Sequence, residues 1–307
     1  MKTKDKKTMS ALVVKDNALI NASFNLDLVE QRLILLAIIE ARKTGLGINS
    51  NDALTVHASN YIETFSVERQ TAYISLKNSC RDLFNRQFSF QELTQKGNII
   101  NQTSRWVSQI GYVDSEAKVQ LIFAPAVVPL ITRLEERFTT YDLVQISNLT
   151  SKYAVRLYEL LMSWRTTSKT PIYKLDDFRK MLGLDCTEYA AMCDFKKHVL
   201  EKAITQINKH TDINVNYDQF KSGRTITGFS FSYKVKKVIG RSSVTKMTDA
   251  QRHLFANKLS ELPDMNKYSQ GTESYAQFAV RIAEMLQDKE KFEELLPYLR
   301  KVGFSTK

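Results

Sequence analysis

Apolar and polar positions alternate along this chain with two different periods, and the two periods follow each other closely. Between Phe195 and Ile207 the apolar residues lie three or four positions apart, which predicts an amphipathic helix. From Ile213 the apolar residues alternate with asparagines, which is the period of a half-buried strand. The opposite face of the helix is polar and basic, so a basic helix leads almost directly into a strand.

A similar order of elements is predicted twice along the chain. The first half is predicted to contain a helix that starts at Asn25 or Asp27 and ends before Gly45, a strand at Ala53–Ala58, a helix at Ser66–Arg86 capped by Ser66, a strand at 87–93, a hairpin that turns at 114–118 and a short helix ending near Arg137. The second half is predicted to contain a helix capped by Thr150 or Ser151, a strand at 170–175, a short helix capped by Asp176 and closed by Gly183, and then the helix and a strand pair separated by the polar loop 218–224. Three further helical patterns, at 250–262, 274–286 and 289–302, form either a small bundle or a tail that orders only on a partner.

The two halves also share residues at a nearly constant offset. Arg32 and Leu33 open one apolar helix, and Arg156 and Leu157 open another 124 residues later. Leu76, Cys80, Phe84 and Asn85 match Val199, Ala203, Ile207 and Asn208 at an offset of 123. This offset indicates a duplicated domain, with chance similarity between amphipathic helices as the alternative.

Positive charge is concentrated in one part of the chain. The formal net charge is +11, and it divides into 17 Lys and Arg against 15 Asp and Glu over 1–149, 16 against 9 over 150–240, and 11 against 9 over 241–307. The segment that contains the basic helix therefore carries most of the excess. Such a focus favours a polyanionic partner, either nucleic acid or an anionic membrane surface, over a merely soluble basic surface.

The motifs of common enzymes and metal sites are missing from the sequence. There is no P-loop and no dinucleotide-binding fingerprint, and no His-x-His pair of the kind a rolling-circle nickase uses. The adjacent carboxylates Asp176 and Asp177 stand at a predicted helix start, where a capping role is expected. Cys80, Cys186 and Cys193 have no zinc spacing. We therefore expect no enzyme activity, no metal and no cofactor.

Features of the sequence also bear on the compartment. Three cysteines without paired spacing fit a reducing cytosol. The charged N-terminus shows no secretory signal, and the longest strongly apolar run, 33–39, is too short to span a bilayer. We expect a cytoplasmic protein with no membrane partner.

Three helices followed by a strand pair is the order of a winged helix, in which the helix before the strands enters the major groove of DNA by its polar face. We therefore expect the fold class to be α+β, with two tandem winged-helix domains related by an internal duplication and followed by a helical C-terminal tail. The expected divisions are a flexible basic leader at 1–14, an N-terminal winged helix at 15–140, a C-terminal winged helix at 141–237, and a linker with a helical module at 238–307.

The second of these domains supplies the strongest candidates for DNA contact. Its hairpin loop, or wing, is expected to meet the DNA backbone with Lys221, Ser222, Gly223 and Arg224. On the helix, Lys196, Lys197, Lys202 and Lys209 are candidate phosphate or guanine partners, Gln206 is a candidate reader of adenine, Glu201 can accept from cytosine, and His198 and Thr205 share the polar face. The alternative is the solvated face of an ordinary amphipathic helix.

Two stretches carry a resemblance to a known family. The sequences "FTTYDLVQISNLTSKYAVRLYELL" (Phe138–Leu161) and "FKKHVLEKAITQINKHTDINVNY" (Phe195–Tyr217) resemble the iteron-binding replication initiator (Rep) proteins of theta-replicating bacterial plasmids. The earlier stretch "ASFNLDLVEQRLILLAI" (Ala22–Ile38) is similar to that family's opening helix. The resemblance covers roughly residues 15–237, and it implies two winged-helix domains in tandem.

The resemblance implies roles for particular residues. It places the second domain's reading helix at Phe195–Asn208 and its wing at Lys221–Arg224. At the N-terminus of the helix that Ser151 caps, Lys152 and Tyr153 are expected to meet a phosphate. In the first domain, Arg69, Lys77, Arg81 and Arg86 are expected to contact mainly the DNA backbone. The strands around Val119, Leu121 and Phe123 are the candidate dimer edge.

The resemblance also implies a mechanism without bond breaking. Several monomers occupy tandem iterons of the double-stranded origin, strain the duplex and open an adjacent AT-rich segment. Host replication proteins, such as the replicative helicase or its loader and the host initiator, are then recruited. A dimer in equilibrium with the monomer represses the initiator's own gene. The alternatives are a winged-helix repressor with no initiation role, a nicking enzyme, and an interaction protein whose basic face binds acidic partners.

Overall fold

Two hydrophobic cores organise the chain. The computed structural model describes residues 11–304 apart from 48, 50, 95, 133–137, 237–246, 248, 270–272 and 287. The chain divides into two compact units, 1–236 and 237–307, and one core cluster lies in each. The first unit contains both predicted domains, and its core runs through both of them without a break.

The first domain combines three principal helices with three antiparallel sheets. Its elements are β1 Leu12–Asp16, α1 Asn17–Asn21, β2 Ser23–Phe24, α2 Leu28–Thr44, β3 Leu54–His57, α3 Ala58–Phe65, α4 Arg69–Asn85, β4 Gln87–Leu93, β5 Ile99–Arg105, β6 Val107–Val113, β7 Lys118–Phe123, α5 Val127–Thr132 and β8 Phe138–Asp142, with a 3₁₀ turn at Asp114–Glu116. The strand orders are β1-β8, β2-β4-β5 and β3-β7-β6. The helices α2, α3 and α4 pack against strands of the last of these sheets.

The second domain repeats this plan with fewer strands. Its elements are α6 Val144–Ser147, α7 Lys152–Met162, β9 Tyr173–Lys174, α8 Leu175–Met181, α9 Met192–Asp194, a π-helical segment Phe195–Leu200, α10 Glu201–His210, β10 Ile213–Ser222 and β11 Thr225–Val235. The α9 helix, the π-helical segment and α10 run on without interruption, and we call residues 192–210 the reading helix. Its strand order, β10-β11-β9, corresponds to β6-β7-β3 of the first domain.

Local capping signals explain where the longest helices begin and end. The α2 helix has Asp27 as its N-cap, with Glu30 completing a capping box, and Gly45 ends it in the left-handed conformation, as predicted. The helix predicted from Ser66 begins instead at Arg69, because Glu68 accepts a hydrogen bond from the Thr71 amide at 2.9 Å. Ser66 ends the preceding helix α3, which the sequence pattern did not predict.

Several other boundaries differ from the sequence prediction. The α8 helix has Lys174 as its N-cap, so the expected cap Asp176 lies in the first turn instead. The leader expected at 1–14 is wrong for 12–14, because these residues belong to β1 and Val13 is buried against the core. Residues 1–10 lie outside the described part of the chain. The expected domain boundary at 140/141 falls inside β8, which pairs with β1.

The candidate dimer edge at Val119, Leu121 and Phe123 is wrong. These residues lie on β7, which is the middle strand of its sheet, with β3 on one side and β6 on the other. Their side chains are at most 1% exposed. A strand with both neighbours in place has no free backbone groups to offer a second copy. The alternate residues Val119, Leu121 and Phe123 face the core of the first unit.

Two buried arginines join the domains reciprocally. Arg32 on α2 donates to the carbonyl of Leu149, at 3.0 Å, in the segment that precedes α7. Arg156 on α7 donates to the carbonyls of Ile20 and Ala22, each at 3.0 Å, in the segment that precedes α2. Both guanidinium groups are buried. The two arginines that match in the sequence repeat therefore act as equivalent clamps, by which we mean that each donates hydrogen bonds to backbone carbonyls of the other domain.

Gly183 marks a second close contact between the domains, and replacing it with alanine is expected to destabilise the first unit. Its φ is +76°, and an added Cβ would lie 2.3 Å from the carbonyl oxygen of Phe24. The left-handed conformation of an alanine is expected to lower the free energy of unfolding by about 1–2 kcal/mol. The clash with the carbonyl oxygen should lower it by about 1–3 kcal/mol more. Urea unfolding of the purified variant measures the sum.

Gly97 is the matched control for this substitution. Its φ is +79°, and nothing lies within 4 Å of an added Cβ. Gly97→Ala should therefore show only the conformational part of the loss. Equal losses for the two variants would mean that the backbone at Gly183 relaxes and that the contact with Phe24 does not restrain the domains.

The second unit is a small helical bundle with its own core. It contains α11 Asp249–Ser260, a 3₁₀ helix Pro263–Tyr268, α12 Tyr275–Met285 and α13 Lys289–Lys301. Leu259, Ile282 and Leu295 are fully buried in it. Of the two sequence expectations for this region, the bundle is the one the structure shows. Most of the linker expected before it, 237–246, lies outside the described residues.

Candidate nucleic-acid interface

The reading helix has two distinct faces. Its apolar face buries Phe195, Val199, Ala203 and Ile207 in the core of the second domain. The opposite face exposes charged and polar side chains, namely Lys197, His198, Glu201, Lys202, Thr205 and Lys209. Between α9 and α10 this helix contains a π-helical segment, a feature that often occurs at functional sites. The polar face expected from the sequence is therefore free for a ligand, and its DNA contacts stay a prediction.

Lys196 differs from the other lysines of this helix. It is half-buried, and its Nζ donates to Oε1 of Gln219 at 3.3 Å and lies 5.8 Å from the centre of the Tyr217 ring. Both partners belong to β10. These contacts tie the start of the reading helix to the wing strands, so Lys196 also has a structural role that its neighbours lack.

The wing is a long two-stranded arm. The strands β10 and β11 pair antiparallel from Ile213 with Val235 to Ser222 with Thr225, and the register shifts at Phe220. The tip residues Lys221, Ser222, Gly223 and Arg224 are all exposed. Gly223 has a φ of +60°, which the tight turn requires, and nothing lies within 4 Å of an added Cβ. The tip presents two cations on a backbone that is open to approach.

Gln206 has a different environment from the one expected. Its Oε1 accepts hydrogen bonds from the amides of Thr150, at 2.9 Å, and Ser151, at 3.1 Å. Its Nε2 donates to the Thr150 hydroxyl at 3.0 Å. The side-chain amide is thus occupied by the N-terminus of α7, and the expected adenine contact would require breaking these bonds. We therefore revise Gln206 from a base-reading residue to one that fixes the reading helix against α7.

Gln206→Ala is accordingly expected to lower stability and binding together. Loss of the two accepted hydrogen bonds should lower the free energy of unfolding by about 0.5–2 kcal/mol, as for other helix caps. Affinity for specific and random DNA should fall by a similar factor. Gln206→Glu is the matched control, because it keeps an acceptor for both amides but brings negative charge to the interface. Relaxed preference at one base pair in the alanine variant would restore the base-reading role.

The N-terminus of α7 lies beside the first domain. Lys152 donates to Oδ1 of Asn25 at 2.9 Å, and its Nζ is 3.6 Å from a carboxylate oxygen of Asp27. Tyr153 is mostly buried, and burial raises the pKa of its hydroxyl above the ordinary value. Lys152 must exchange Asp27 for a phosphate if DNA binds here as expected.

The α4 helix is the first domain's counterpart of the reading helix. Arg69 and Arg81 are exposed, and Arg69 donates to the Tyr73 hydroxyl at 2.6 Å. Lys77 is exposed but donates to Asp114 at 2.7 Å. Asp114 lies at the β6–β7 turn, which is this domain's wing. These three residues remain candidates for backbone contact, with Lys77 partly neutralised by its neighbour.

Arg86 is not available in the way the sequence suggested. Its Nε donates to both carboxylate oxygens of Glu30, at 2.9 and 3.0 Å, and its Nη2 donates to Asp27 at 3.3 Å. Glu30 is almost fully buried. Freeing Arg86 would leave a buried carboxylate without its cation, so the residue fixes the end of α4 to the start of α2. We revise its expected DNA-backbone role to a structural one.

Sequence reasoning missed two exposed side chains on α4. Ile74 is 57% exposed, and Asn78 lies one turn further along the helix and is also exposed. An apolar side chain can contact a thymine methyl group, and an asparagine amide can pair with adenine. A large apolar residue on the polar face of this helix was a signal available in the sequence.

A tyrosine in the second domain was also missed. Tyr189 lies between α8 and α9, and its ring centre is 6.0 Å from that of His198 on the reading helix. Nothing in the periodicity of its loop distinguishes it from a solvated residue. Only the fold brings it beside the polar face of the reading helix.

The described residues offer little for other kinds of site. Within them, no group of three or more His, Cys, Asp or Glu side chains is placed to hold a metal ion. None of the helices in this part of the chain combines the length and apolarity needed to cross a bilayer.

Two family models match consecutive parts of the chain. A model described as "Initiator Replication protein, WH1" matches residues 12–162, and one described as "Initiator Rep protein, WH2" matches residues 174–233. A curated Escherichia coli protein named "Replication initiation protein" is 25% identical over 257 residues, which cover 82% of this chain and 78% of that protein.

One solved structure gives the same picture of the fold, and a second is similar in sequence to part of the chain. The crystal structure of Pi initiator protein in complex with iteron DNA aligns with a TM-score of 0.61 and 22% identity, over 74% of this chain and 98% of that chain. The WH1 domain of a replication protein isolated from a multiple sclerosis patient is 70% identical, covering 40% of this chain and 92% of that domain, with a TM-score of 0.33. The first of these alignments establishes the tandem winged-helix arrangement.

Proposed function

Because the chain belongs to the initiator replication protein family, with its WH1 and WH2 domains in tandem, we propose that it initiates plasmid replication by binding tandem iterons at the origin. The observation that carries this proposal is the pair of polar-faced helices, α4 and the reading helix, held in one compact unit. Each precedes a winged-helix sheet. The relative whose structure contains iteron DNA has the same fold.

The second domain supplies most of the sequence recognition in this proposal. Its reading helix enters the major groove with Lys197, Glu201 and Lys202 toward base edges and Thr205 beside them. Lys209 and the wing cations meet phosphates on either side. Tyr153 and Lys152 meet a phosphate at the N-terminus of α7, where the helix dipole favours an anion. The regional excess of positive charge supports this division of labour.

The first domain contacts an adjoining part of the same repeat. Arg69, Lys77 and Arg81 supply backbone contacts, while Ile74 and Asn78 face the groove. Its wing turn carries Asp114 beside Lys77, and Glu116 accepts from Lys118 at 2.6 Å. This turn is therefore nearly neutral, and it draws in phosphate less strongly than the wing of the second domain.

We propose that the joint between the domains determines how binding strains the duplex. The reciprocal clamps of Arg32 and Arg156 fix the spacing of the two groove-facing helices. DNA must follow that spacing, and bending it costs on the order of a few kcal/mol, offset by added contacts along the site. Several copies on tandem repeats add their strains, and the adjacent AT-rich segment opens. Host proteins, such as the replicative helicase or its loader and the host initiator, then assemble there.

A second copy is proposed to bind at a different strand from the one first expected. The β5 strand lies at the edge of its sheet and pairs only with β4 among the described strands. Ile99 is 65% exposed on it, and Ile100 is also exposed. An edge strand with exposed apolar side chains favours pairing with another strand. We propose that the dimer formed here represses the initiator's own gene.

Ile99→Lys is expected to shift the monomer–dimer equilibrium toward the monomer, because a lysine on an edge strand opposes edge-to-edge pairing. The dimer dissociation constant measured by sedimentation equilibrium should rise about tenfold. Ile172→Lys is the control, since Ile172 is 55% exposed in the second domain. A dimer unaffected by the Ile99 variant would place the interface elsewhere.

Footprinting of the purified protein on a library of plasmid DNA tests the proposal. At near-physiological salt with excess competitor, we expect protection of tandem direct repeats in helical phase. The repeats would then identify the origin. Protection of a single inverted repeat would instead indicate a winged-helix repressor, and diffuse protection would leave only a basic surface.

A further inference from the structure

Three aromatic rings form a row across the DNA-facing side of the second domain. The ring centres of Tyr153 and Tyr189 are 6.3 Å apart at an interplanar angle of 85°. Those of Tyr189 and His198 are 6.0 Å apart at 27°, which is an offset stack. The row leads from the N-terminus of α7 to the exposed face of the reading helix. Tyr189 lies at its centre.

The backbone of the loop that carries Tyr189 is hydrogen-bonded to an arginine of α8. Arg179 on α8 donates to the carbonyl of Tyr189 at 3.1 Å and to the carbonyl of Glu188. The same guanidinium lies 5.2 Å from the centre of the Phe195 ring, at the start of the π-helical segment. These contacts link the loop to α8 and to the reading helix, and they restrain the position of the Tyr189 ring relative to His198.

The backbone of Tyr189 has an uncommon conformation. Its φ is +49°, in the left-handed region that a bulky side chain rarely adopts. Such conformations persist where the surroundings impose them, and they cluster at functional sites. The ring does not fill the core, because the residue is 37% exposed. Its ring contacts are with the mostly buried Tyr153 and with His198, which is exposed on the polar face of the reading helix.

Resting on the proposed function, we infer that Tyr189 is a positioning residue for base recognition. Its ring restricts the imidazole of His198 to one orientation on the reading helix. The ring nitrogens of an imidazole lie in the plane of the ring, so the orientation of the ring decides what they can pair with. Held by Tyr189, the N–H of His198 donates to the N7 of a purine in the major groove. Tyr189 itself acts through His198.

A double-mutant cycle on the footprinted repeat tests this inference. Tyr189→Ala and His198→Ala should each lower affinity for the specific repeat about tenfold and relax the preference at the same base pair. The double variant should bind no more weakly than either single variant, because both remove one interaction. Affinity for random DNA should change less than twofold in all three. Tyr275→Ala, at an exposed tyrosine of the second unit, is the control.

Two further variants separate positioning from a structural role. Tyr189→Phe keeps the stack and should keep the wild-type base preference. Tyr189→Gly relieves the left-handed backbone, so it should unfold at a urea concentration equal to or above that of the wild type. It should nevertheless lose the base preference as the alanine variant does. If Tyr189 had only a structural role, Tyr189→Gly would unfold at a lower urea concentration than the wild type and would keep the wild-type base preference.

The possible outcomes keep the two proposals distinct. If the wild-type protein protects no tandem repeat, the proposed function fails. If it protects the repeat and Tyr189→Ala binds it with unchanged affinity and preference, the inference about Tyr189 is wrong. Additive losses in the double variant would also overturn it, because Tyr189 would then act independently of His198.

Discussion

Replacing Glu159 with glutamine is expected to lower the free energy of unfolding of the first unit by about 3–5 kcal/mol, because it leaves two buried cations without a counterion. Glu159 accepts from the Nζ of Lys15 at 2.7 Å and from Nη1 of Arg156 at 2.9 Å. It also accepts from the Tyr141 hydroxyl at 2.7 Å. Glutamine has nearly the same shape, so the loss reports charge rather than packing.

The position of this network explains the size of the effect. The side chains of Lys15, Arg156 and Glu159 are 5%, 1% and 2% exposed. Lys15 lies on β1 in the first domain, while the other two lie on α7 in the second. The same arginine also clamps the carbonyls of Ile20 and Ala22. Losing the carboxylate therefore disturbs the joint as well as the local charge balance.

The network also predicts how stability depends on pH. Burial alone raises the pKa of Glu159, but the facing charges of Lys15 and Arg156 outweigh it and hold the pKa below the ordinary 4.5. Lys15 and Arg156 share this one carboxylate, and its attraction does not offset the cost of burying two cations. Burial therefore lowers the pKa of both Lys15 and Arg156. A carboxyl with a lowered pKa contributes stability that is present above its ordinary value and lost as the pH falls through the folded-state value.

Urea unfolding at a series of pH values measures both effects. The wild type should lose the contribution of Glu159 as the pH falls below the ordinary value of 4.5. Glu159→Gln should lack this part of the acid dependence. Glu116→Gln is the matched control, because Glu116 pairs with Lys118 at the surface and its side chain is 56% exposed. That pair should contribute about 0–1 kcal/mol.

A rescue variant makes the charge argument falsifiable. Adding Lys15→Met to Glu159→Gln removes one of the two unpaired cations, so stability should recover in part. If the double variant is less stable than Glu159→Gln alone, the loss comes from packing. If Glu159→Gln is as stable as the wild type, solvent reaches the network and the domains are joined mainly by their apolar core.

The largest effect on DNA binding is expected from Lys197→Ala and Lys202→Ala combined. Both side chains are exposed on the polar face of the reading helix. A good contact to a base edge contributes about 1–3 kcal/mol, so the pair should weaken binding to the specific repeat by about 2–6 kcal/mol. Preference should relax at two base pairs. Binding measured by fluorescence anisotropy on specific and random duplexes gives both quantities.

Two single variants show what kind of contact is lost. Lys221→Ala, at the wing tip, should weaken all DNA about equally and lower the slope of affinity against salt by about one. Lys43→Ala is the control. Lys43 lies near the end of the 17-residue helix α2, about 24 Å from its N-cap Asp27, which lies beside Lys152. If the combined Lys197→Ala and Lys202→Ala variant loses affinity equally for specific and random DNA, the reading helix contacts phosphates rather than bases.

The sequence predicted the helices and strands of the second domain well, because their signals are local. The apolar positions from Phe195 to Ile207 and the alternation from Ile213 determine a helix and a strand whatever lies around them. Both are present within a few residues of the predicted bounds. The polar face of the reading helix follows from the same period, so most of its candidate residues are exposed as expected.

The first domain shows where local signals mislead. The sequence predicted a strand at 87–93 but not its partner β5, and β4 and β5 form a separate hairpin that has no counterpart among the described strands of the second domain. The strands equivalent to β10 and β11 are β6 and β7. Strand pairing depends on residues far apart in sequence, and alternation does not say which strand lies at an edge. The dimer edge was misplaced for this reason.

The sequence by itself determined most of the elements, the duplication and the basic second domain, because each of these is carried by periodicity, spacing or composition. The family was indicated separately, by the resemblance of particular stretches to known initiators. The tertiary structure alone decided which polar side chains are free. Gln206 and Arg86 carry ordinary DNA-binding chemistry, yet α7 and Glu30 occupy them, whereas Tyr189 carries no sequence signal and lies against His198. A side chain's partners are set by segments distant in sequence, so its availability to DNA is a property of the fold.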